Sequence, residues 1–530
     1  MSVLAAAAPV GRSGSTRVPV AQGRRDRRRG PSGPTATTES GIFGHHHHDT
    51  NEANTGDDNM GLMTASEYRA SLNDGRVVYW GGEKITDIVN HPRFRVPIEV
   101  AARDYAYDDP DLRDLISYET EDDTRAHRVY QVPRTTEDLE KRIELAREMT
   151  IVGGVTGVYM ALLTIKDRLA QVNPRFAQNI EDMYRYAREK DLRAAEVITD
   201  AKGDRSKKAH EQLDPDLYLR IVDRNAEGIT VRGAKLHITG AALVHELVVM
   251  PTKSMREDES DYAVAFSIPV NAPGVKIINR SFAPAELNEF DYPASAHHSM
   301  PEGFVVFDDV FVPWERVFLA GEWQLAGAFA AALGLWERTL GLVMASQEAQ
   351  IMAGLADLVT EQQGKSRDPH VQDAISELIC YAQTIHMGID YAVRHYESTA
   401  SGMLHPNTLG INVTKYYYAS NYHQMVRHLQ DVAGGLVITL PEEADLRHPE
   451  SGAYLRKYMN AMPNTDVEQR MRMFTLIRDI TADAFGGWHL VTALQAGGGL
   501  KAQRIMMART FDMASARTAA LRAAGVSRDS

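Results

Sequence analysis

Two adjacent histidines and a single cysteine are among the residues that could carry out acid–base or nucleophilic chemistry. His297 and His298 precede Pro301 in a segment expected to be a loop. Histidine changes its charge near neutral pH, so one of the pair could carry a proton, although exposed loop side chains are at least as good an interpretation. Cys380 lies in an apolar helical pattern, which predicts a core side chain rather than a nucleophile.

The cysteine count and the missing motifs exclude several kinds of chemistry. Cys380 is the only cysteine of the 530 residues, so the chain cannot form an intrachain disulfide or supply the thiolates of an iron–sulfur cluster. A reducing cytoplasm fits this count. The sequence has no G-x-G-x-x-G, P-loop, H-E-x-x-H or G-x-S-x-G motif. If a nicotinamide delivers hydride, we expect another protein to receive it.

The bulk composition is that of a globular protein, with 44% hydrophobic and 24% charged residues. A formal net charge of −13 argues against a nucleic-acid binder, which needs a basic face to neutralise phosphates. It also argues against docking on an anionic membrane surface. No uninterrupted apolar run reaches the roughly 18 residues that a membrane span requires.

Composition and hydrophobic periodicity predict four segments: a disordered tail over 1–60, an N-terminal helical domain over 61–215, a central β domain over 216–322 and a C-terminal helical domain over 323–520. The tail is rich in Ala, Gly, Pro, Ser, Thr and Arg and has no hydrophobic period. Its basic run precedes no apolar signal segment, and its run of four histidines is not expected to form a specific metal site.

Hydrophobic periodicity supplies the elements within these segments. Helices are predicted at 136–149, 151–168 and 176–190. Short β-rich runs that suggest a small barrel or sandwich are predicted at 228–239, 245–251, 262–269, 275–280 and 303–313. In the C-terminal part, spacing at i, i+3 and i+4 predicts a buried stripe of Ile375, Leu378, Ile379, Ala382 and Ile385.

Several motifs resemble the oxygenase family of 4-hydroxyphenylacetate 3-monooxygenase. SLNDGRVVYWGGEKI at 71–85 and HPRFR at 91–95 are similar to its N-terminal signature, and VVFDDVFVPWERVF at 305–318 is similar to the segment that closes its β unit. AGGL at 433–436 and FGGWH at 485–489 correspond to its Gly-rich helix breaks. The resemblance implies an α+β flavoprotein of the acyl-CoA dehydrogenase kind, with helices, a β-barrel or sandwich and a C-terminal helical bundle.

A sister branch, 4-hydroxybutyryl-CoA dehydratase, is more similar in other segments, namely ITDAKGDRS at 198–206, the stretch at 214–240 and AQRIMMAR at 502–509. That enzyme holds a four-iron cluster by three cysteines and a histidine. The positions of its C-x-x-x-C pair are occupied here by Ile151 and Val155. Dehydration that depends on the cluster is therefore excluded unless another group replaces its Lewis acid.

The resemblance also implies a set of flavin contacts. By position these are Thr199, Lys202, Asp204, Arg205, Thr239, Gly240, Gly486 and Gly487. The planar fork of Arg205 suits phosphate oxygens, and a hydroxyl at Thr239 could tune the electron demand of the isoalloxazine ring. The glycines at 486–487 would let the backbone approach the cofactor closely. Without the resemblance, the segment around Arg205 would be interpreted as a solvated turn, Thr239 and Gly240 as a turn at the end of a strand, and Gly486 and Gly487 as a helix break.

The substrate positions depart from the family's pattern. The family places an arginine and a tyrosine four residues apart to grip a phenol, and these positions hold Val155 and Tyr159 here. The family's pocket histidine corresponds to Glu196. A carboxyl in an apolar pocket has a raised pKa and can act as a general base, or it can bind an amine. The catalytic candidates are therefore Tyr159, Glu196 and His298, although Tyr159 could be a plain core aromatic and Glu196 a surface helix end.

The resemblance implies the oxygenase component of a two-component system. Such a protein takes FADH2 from a separate NAD(P)H:flavin reductase and uses dioxygen to hydroxylate a small aromatic or nitrogen-bearing substrate through a flavin hydroperoxide. One alternative is a flavin-dependent dehydratase, isomerase or dehydrogenase of an acyl thioester without an iron–sulfur cluster. Another is a non-catalytic binding or assembly subunit. We expect a cytoplasmic homotetramer or homodimer without a metal site, a nucleic-acid partner or a membrane partner.

Overall fold

The computed structural model describes residues 62–282, 284, 288–298, 300–463 and 465–526. The predictions for residues 1–60, including those for the basic run and the four histidines, lie outside the described residues. The helices are α1 Ala65–Ser71, α2 Pro92–Ala102, α3 Pro110–Ile116, α4 Thr136–Glu148, α5 Ile151–Val155, α6 Val158–Ala170, α7 Pro174–Glu189, α8 Ser295–His298, α9 Trp323–Gln362, α10 Pro369–Arg394, α11 Thr408–Ala433, α12 Leu436–Thr439, α13 Glu443–Arg447, α14 Pro449–Tyr458, α15 Val467–Thr481, α16 Ala484–Gln495, α17 Leu500–Thr510 and α18 Met513–Ala523. The strands are β1 Val78–Trp80, β2 Glu83–Ile85, β3 Ser117–Glu119, β4 Arg125–His127, β5 Ala194–Val197, β6 Arg220–Arg224, β7 Gly228–Thr239, β8 Glu246–Val249, β9 Val264–Pro269, β10 Val275–Ser281, β11 Pro301–Pro313, β12 Val317–Ala320, β13 Glu397–Ser398 and β14 Leu404–His405.

Local capping explains where the N-terminal helices begin. Thr135 and Asp138 form a reciprocal capping box at the start of α4, which satisfies backbone N–H groups that have no partner within the helix. Asn173 caps α7, and a proline follows at the first helical position. The predictions for α4 and α7 are therefore confirmed. The predicted helix at 151–168 is two helices, α5 and α6, separated at Thr156 and Gly157.

The strands form two principal sheets. The larger has the order β2-β1-β10-β11-β7-β6, and the smaller has the order β12-β9-β8-β5. All five predicted strands are confirmed to within a few residues at their ends. The rings of Phe266 and Phe307 connect the sheets, with centroids 6.0 Å apart. The described residues form both helices and strands, so the chain is a mixed helical and β protein. The described strands do not close into a barrel, and the predicted barrel or sandwich stays a prediction.

Segments from the predicted N-terminal helical domain take part in both sheets. Strand β1 pairs in parallel with β10, and β5 pairs in parallel with β8. Helix α5 contacts both β5 and β7. The N-terminal helices are therefore joined to the β unit by backbone hydrogen bonds as well as by side-chain packing.

Helix α9 is the central helix of the C-terminal half, and it packs on α4, α6, α10, α11 and α15. By length and composition it could cross a membrane, but 61% of its most apolar 18-residue window is buried inside the protein. Burial of that kind is also expected for the core helix of a soluble protein.

The stripe predicted on α10 is confirmed at four of its five positions and wrong at the fifth. Ile375, Leu378, Ala382 and Ile385 are buried, whereas Ile379 is 55% exposed. Cys380 is also exposed, so its predicted place in the core is wrong. The reason is the helical period: Leu378 and Tyr381 face the core, which turns the two residues between them outward.

A buried aspartate fixes the N-terminus of α5. The Asp104 carboxylate accepts the Thr150 N–H at 2.8 Å, the Gly153 N–H at 2.8 Å and the Thr150 hydroxyl at 2.5 Å. A helix N-terminus has unpaired N–H groups and favours negative charge, so this arrangement satisfies both partners. A Cβ at Gly153 would lie 2.7 Å from Asp104 Oδ2, and one at Gly154 would lie 2.6 Å from Leu340 Cδ2. Both glycines are thus required by close packing on two sides of α5.

We predict that Gly153→Ala lowers the free energy of unfolding by about 1–3 kcal/mol, because the added methyl must displace the Asp104 carboxylate. The matched control is Gly354→Ala in α9, where an added Cβ meets no atom within 4 Å. This control should be neutral or stabilising by up to about 1 kcal/mol. Urea unfolding followed by circular dichroism measures both changes. Equal midpoints for the two variants would contradict the role given to Gly153.

Candidate functional site

A small cavity of about 30 Å³ lies where α4, the α5–α6 junction, β5 and α9 meet. Its lining residues are Leu139, Arg142, Ile143, Ala146, Met149, Gly154, Gly157, Glu196, Trp336, Thr339, Leu340, Val343 and Pro406. Most of these side chains are apolar, and the two that can carry a charge are Arg142 and Glu196. Apolar walls with a few convergent polar groups are typical of small-molecule sites.

Glu196 enters this cavity from the middle of β5. None of the described residues donates a hydrogen bond to its carboxyl group. Burial raises the pKa of Glu196 well above its ordinary value, and the nearby Glu337 carboxylate raises it further. A raised pKa favours the protonated form of a carboxyl group, and this form can act as an acid. The alternative of a surface helix end is wrong, because Glu196 lies on a strand between buried neighbours.

Arg142 reaches the cavity from α4. Its guanidinium donates a hydrogen bond to the Val129 carbonyl at 3.0 Å and lies over the ring of Trp336, 5.1 Å from the centroid. The indole N–H of Trp336 donates to the Thr164 hydroxyl at 3.0 Å, which fixes the ring. Burial lowers the pKa of Arg142 to about 10, so the group stays charged at neutral pH.

Tyr159 lies in the core next to the cavity and is not among the lining residues. It is fully buried on α6, and its ring is 5.6 Å from that of Tyr130. Its hydroxyl has no hydrogen-bond partner among the described residues. Val155 is also buried, on the α5 turn beside the lining residue Gly154. The structure therefore brings Glu196 to the cavity but places Tyr159 behind it, and the catalytic role of Tyr159 stays a prediction.

A second cluster lies at the paired ends of β7 and β11. The Thr239 hydroxyl donates to the Glu302 carboxylate, with distances of 3.2 and 3.1 Å to its two oxygens, and the Trp488 indole N–H donates to Glu302 at 3.0 Å. The rings of Phe282 and Trp488 are 4.8 Å apart. Burial raises the pKa of Glu302. Thr239 thus contacts a buried carboxyl group that Trp488 also bonds, and its contact with a flavin ring stays a prediction.

Helix α5 connects this cluster with the cavity. Gly240 has a φ of +69°, and a Cβ at this position would lie 3.2 Å from both Met300 Sδ and Val152 Cγ2. Val152 is on α5, as is the cavity residue Gly154. A glycine is required at 240 because the backbone is left-handed and its neighbours are close.

The predicted phosphate loop at 199–205 is anchored at its base and open at its tip. The Thr199 carbonyl accepts the Leu236 N–H at 2.7 Å, and the buried carboxylate of Asp200 pairs with the Lys235 ammonium at 2.8 Å. At the tip, Arg205 is exposed and forms no ion pair with a described residue, and Lys202 has a φ of +72°. Burial, and then the neighbouring Arg205, lower the pKa of Lys202. A bound phosphate would raise the pKa of Lys202 again, because its negative charge would stabilise the ammonium group.

His298 ends the short helix α8, and its position is set by α15. The buried Asp479 carboxylate accepts the backbone N–H groups of Ala294 and Ser295 at 2.8 and 2.7 Å. The His298 ring stacks on Phe485, with centroids 5.8 Å apart. Burial, followed by the nearby His297, lowers the pKa of His298 to about 4. At neutral pH this ring is therefore uncharged, and it is a weak base.

The FGGWH segment is part of a helix. Gly486 and Gly487 lie in the first turn of α16, so the interpretation as a helix break is wrong. A Cβ at Gly486 would lie 2.7 Å from the Thr481 backbone nitrogen, whereas one at Gly487 would meet nothing within 4 Å. Gly487 therefore leaves open space at the helix surface. The other break, at AGGL, is confirmed, because α11 ends at Ala433 and Gly434 has a φ of +80°.

Comparison with known proteins places these features in a family. The family model described as the N-terminal part of 4-hydroxyphenylacetate 3-hydroxylase matches residues 64–319, and the model of its C-terminal part matches residues 326–525. The chain belongs to the 4-hydroxyphenylacetate 3-hydroxylase family. This confirms the resemblance found in the sequence.

Individual relatives come from two branches of this family. The 4-hydroxybutyryl-CoA dehydratase/vinylacetyl-CoA-Δ-isomerase of Clostridium aminobutyricum is 31% identical, over 88% of this chain and 100% of its own length. The 4-hydroxyphenylacetate 3-monooxygenase oxygenase component of Thermus thermophilus is 29% identical, over 80% of this chain and 89% of its own. The crystal structure of a 4-hydroxyphenylacetate 3-monooxygenase oxygenase component with FAD has a TM-score of 0.79 and 26% identity, and covers 87% of this chain and 98% of its own.

The donor groups of the chain fit FAD and do not fit an iron–sulfur cluster. The Asn279 side chain on β10 is buried with both its nitrogen and its oxygen unpartnered among the described residues, and such atoms can bond a ligand or an ordered water. Lys202 and Arg205 form no ion pair with a described residue, and two such cations suit a pyrophosphate. For a cluster, the only cysteine is on the exposed side of α10. The described residues contain no group of three His, Cys, Asp or Glu side chains that could hold a metal.

Three site features were missed in the sequence, although two of them left a signal there. Arg142 occupies the apolar helical stripe of Leu139, Ile143 and Ala146, a place where an arginine is unusual. Glu302 follows from strand alternation, which turns it to the face opposite Gly303. The third, a network of His489 with Glu348 at 2.9 Å and with the Tyr418 hydroxyl at 3.0 Å, depends on three distant helices.

We predict that Glu196→Gln raises the free energy of unfolding relative to the wild type, and that this difference increases with pH. A carboxyl group whose folded pKa is raised holds its proton in the folded state while the unfolded chain ionises near the ordinary pKa of 4.5. Below that pH the group is protonated in both states and contributes no pH dependence. Above it the wild type loses stability as pH rises towards the folded pKa, by at most about 1.4 kcal/mol per pH unit.

Urea unfolding at several pH values measures this difference. Glu140→Gln, on the exposed face of α4, is the control, and its curve should run parallel to that of the wild type. Parallel curves for Glu196→Gln and the wild type would show that Glu196 is ionised in the folded protein.

Proposed function

We propose that this chain is the oxygenase component of a two-component system that uses FADH2 and dioxygen to hydroxylate a small aromatic substrate. The observation that carries this proposal is the family match across both halves of the chain, together with FAD-bound relatives of the same fold. The raised pKa of Glu196 favours its protonated form, which disfavours the cationic substrate that the sequence had suggested.

FAD, when bound as FADH2, supplies the electrons that activate dioxygen. The residues of this chain would hold it: Lys202 and Arg205 at the phosphates, and Thr239 and Gly240 beside the ring. Close packing around α5 would keep water from the bound cofactor, which would protect reactive species from side reactions. The raised pKa of Glu196 favours a protonated carboxyl group at the cavity wall. His298, on the α16 side, would remain an uncharged hydrogen-bond partner at neutral pH, because its pKa is about 4.

The proposal extends to the partner and to the setting of the protein. A separate NAD(P)H:flavin reductase would supply FADH2, because the sequence has no dinucleotide-binding motif of the G-x-G-x-x-G type. Relatives named as oxygenase components support this division of labour. We further propose a homotetramer or a homodimer in the cytoplasm. Helix α18, which buries none of its residues in the single chain, favours association.

A second candidate is a flavin-dependent lyase or isomerase of an acyl thioester. The 31% identity to the dehydratase/isomerase of Clostridium aminobutyricum favours it. The single cysteine opposes it, because the chain cannot hold a cluster by thiolates. A non-catalytic binding subunit is a third candidate. Such a subunit would not require an acidic group in the cavity.

Oxygen consumption separates these functions. With a flavin reductase, NADH, FAD and 4-hydroxyphenylacetate or a simple phenol as probe, we expect dioxygen uptake in proportion to hydroxylated product. Arg205→Ala should weaken FADH2 binding by about 10-fold or more, since it removes a charge-assisted hydrogen bond. Arg185→Ala, on the exposed side of α7, is the matched control and should bind FADH2 normally.

Two results would contradict the proposal. Anaerobic conversion of 4-hydroxybutyryl-CoA at an undiminished rate would favour the lyase. Failure of the wild-type chain to bind FADH2 would favour the binding subunit.

A further inference from the structure

Helix α16 lies between the β unit and the C-terminal helices with little apolar burial. Of its twelve residues, Phe485, Gly486 and Ala493 are buried. A helix of this length is marginal by itself and is normally held by a buried apolar face. Near its C-terminal end, the Lys415 ammonium donates a hydrogen bond to the Ala493 carbonyl at 3.1 Å. Polar contacts of this kind therefore carry much of its docking.

Two consecutive side chains of α16 contact two different parts of the protein. The Trp488 indole N–H donates to the Glu302 carboxylate on β11 at 3.0 Å. The His489 ring reaches the helical bundle, where Nδ1 lies 2.9 Å from the Glu348 carboxylate on α9 and Nε2 lies 3.0 Å from the Tyr418 hydroxyl on α11. Consecutive residues of a helix point about 100° apart. The two contacts therefore hold α16 from two directions.

The contact between His489 and Glu348 is itself fixed and shielded. The Tyr422 hydroxyl donates to Glu348 at 2.8 Å, and the Tyr422 ring stacks on His489 with centroids 4.9 Å apart. The side chains of His489 and Glu348 are only 16% and 13% exposed, so water competes little for the contact. Because a carboxylate only accepts, we assign the proton of this contact to Nδ1.

The other anchor, Trp488, acts on a buried carboxyl group. Burial raises the pKa of Glu302, and the hydrogen bonds from Trp488 and Thr239 oppose this rise. The partners of Glu302 on the neighbouring strands are Thr239 on β7 and the exposed Arg280 on β10, and Arg280 forms no ion pair with it in the described chain. If α16 moved away, Glu302 would lose one donor, and its protonated form would be favoured further.

We propose that His489 is a positioning residue of the proposed flavin site. Its contact with Glu348 docks α16, and the docked helix holds the Trp488 N–H on Glu302. The inference rests on the proposed function in taking Thr239 as the flavin corner. A charge beside the ring tunes the electron demand of a flavin. The anchor in the helical bundle thus acts on the site through the protonation of Glu302.

Titration of Glu302 in the flavin-free full chain tests this role. Infrared difference spectra of each protein against the same protein with Glu302→Gln give the pH at which the carboxyl band is replaced by the carboxylate band. We expect His489→Leu to shift this midpoint to higher pH by as much as Trp488→Phe does. His489→Asn should restore the wild-type midpoint, because its amide can donate to Glu348 from about the position of Nδ1.

The control for a merely structural effect is Ala493→Gly, which weakens the same helix and should leave the midpoint unchanged. If His489→Leu does not fold, Glu348→Leu decides the matter, because it removes the carboxylate that His489 contacts and should shift the midpoint in the same direction.

Three results would overturn the proposal: an unchanged midpoint in the folded anchor variant, an equal shift in Ala493→Gly, or no restoration by His489→Asn. None of these measurements uses flavin or dioxygen. Their failure would therefore leave the oxygen-uptake test of the proposed function unaffected.

Discussion

Two ionisable groups, Glu196 and Arg142, line one small cavity in which both are partly buried, and they do not form an ion pair with each other. The cost of removing charge from water affects both. For Glu196 this cost raises the pKa and so favours the protonated form. Arg142 cannot lose its proton at neutral pH and so retains an unbalanced charge. The chemistry that we propose depends on this shielding, because an open cleft would ionise Glu196 and hydrate Arg142.

The fold maintains the shielding through α5. This helix has only five residues, and a helix of that length is not stable by itself. It persists because the buried Asp104 binds its N-terminal N–H groups and because Gly153 and Gly154 let it pack closely on both sides. Its position between Gly240 and the cavity brings the predicted flavin corner next to the cavity that Glu196 lines. Strands β1 and β5 add rigidity, since they join the N-terminal helices to the two sheets.

The sequence predicted the periodic parts of this structure well. Helices α4 and α7 follow from capping signals and an apolar stripe, and the five strands of the β unit follow from β-rich runs bounded by turn residues. Prediction failed where a local pattern had more than one solution. The 151–168 segment contains glycines that allow a break between two helices, and Ile379 and Cys380 are apolar residues on the outward face of α10, between the buried Leu378 and Tyr381.

The site was less accessible to sequence reasoning than the fold. The resemblance identified Glu196, but only the structure shows that it shares a cavity with Arg142 and that Tyr159 does not line it. These contacts join residues far apart in the chain, which no local pattern specifies. The pairing of Thr239 with Glu302 depends on the register of β7 and β11, and the contact of Trp488 with Glu302 depends on the docking of α16. Such contacts follow from tertiary packing.

The protonation state of Glu196 in the resting protein is the most direct measure of the shielding. Infrared difference spectroscopy of wild type against Glu196→Gln, at neutral pH, reads it from the carboxyl stretching region. The account predicts a band of a protonated carboxyl group in the wild type that disappears in the variant. A carboxylate band in its place would show that the cavity is hydrated, and it would contradict the account.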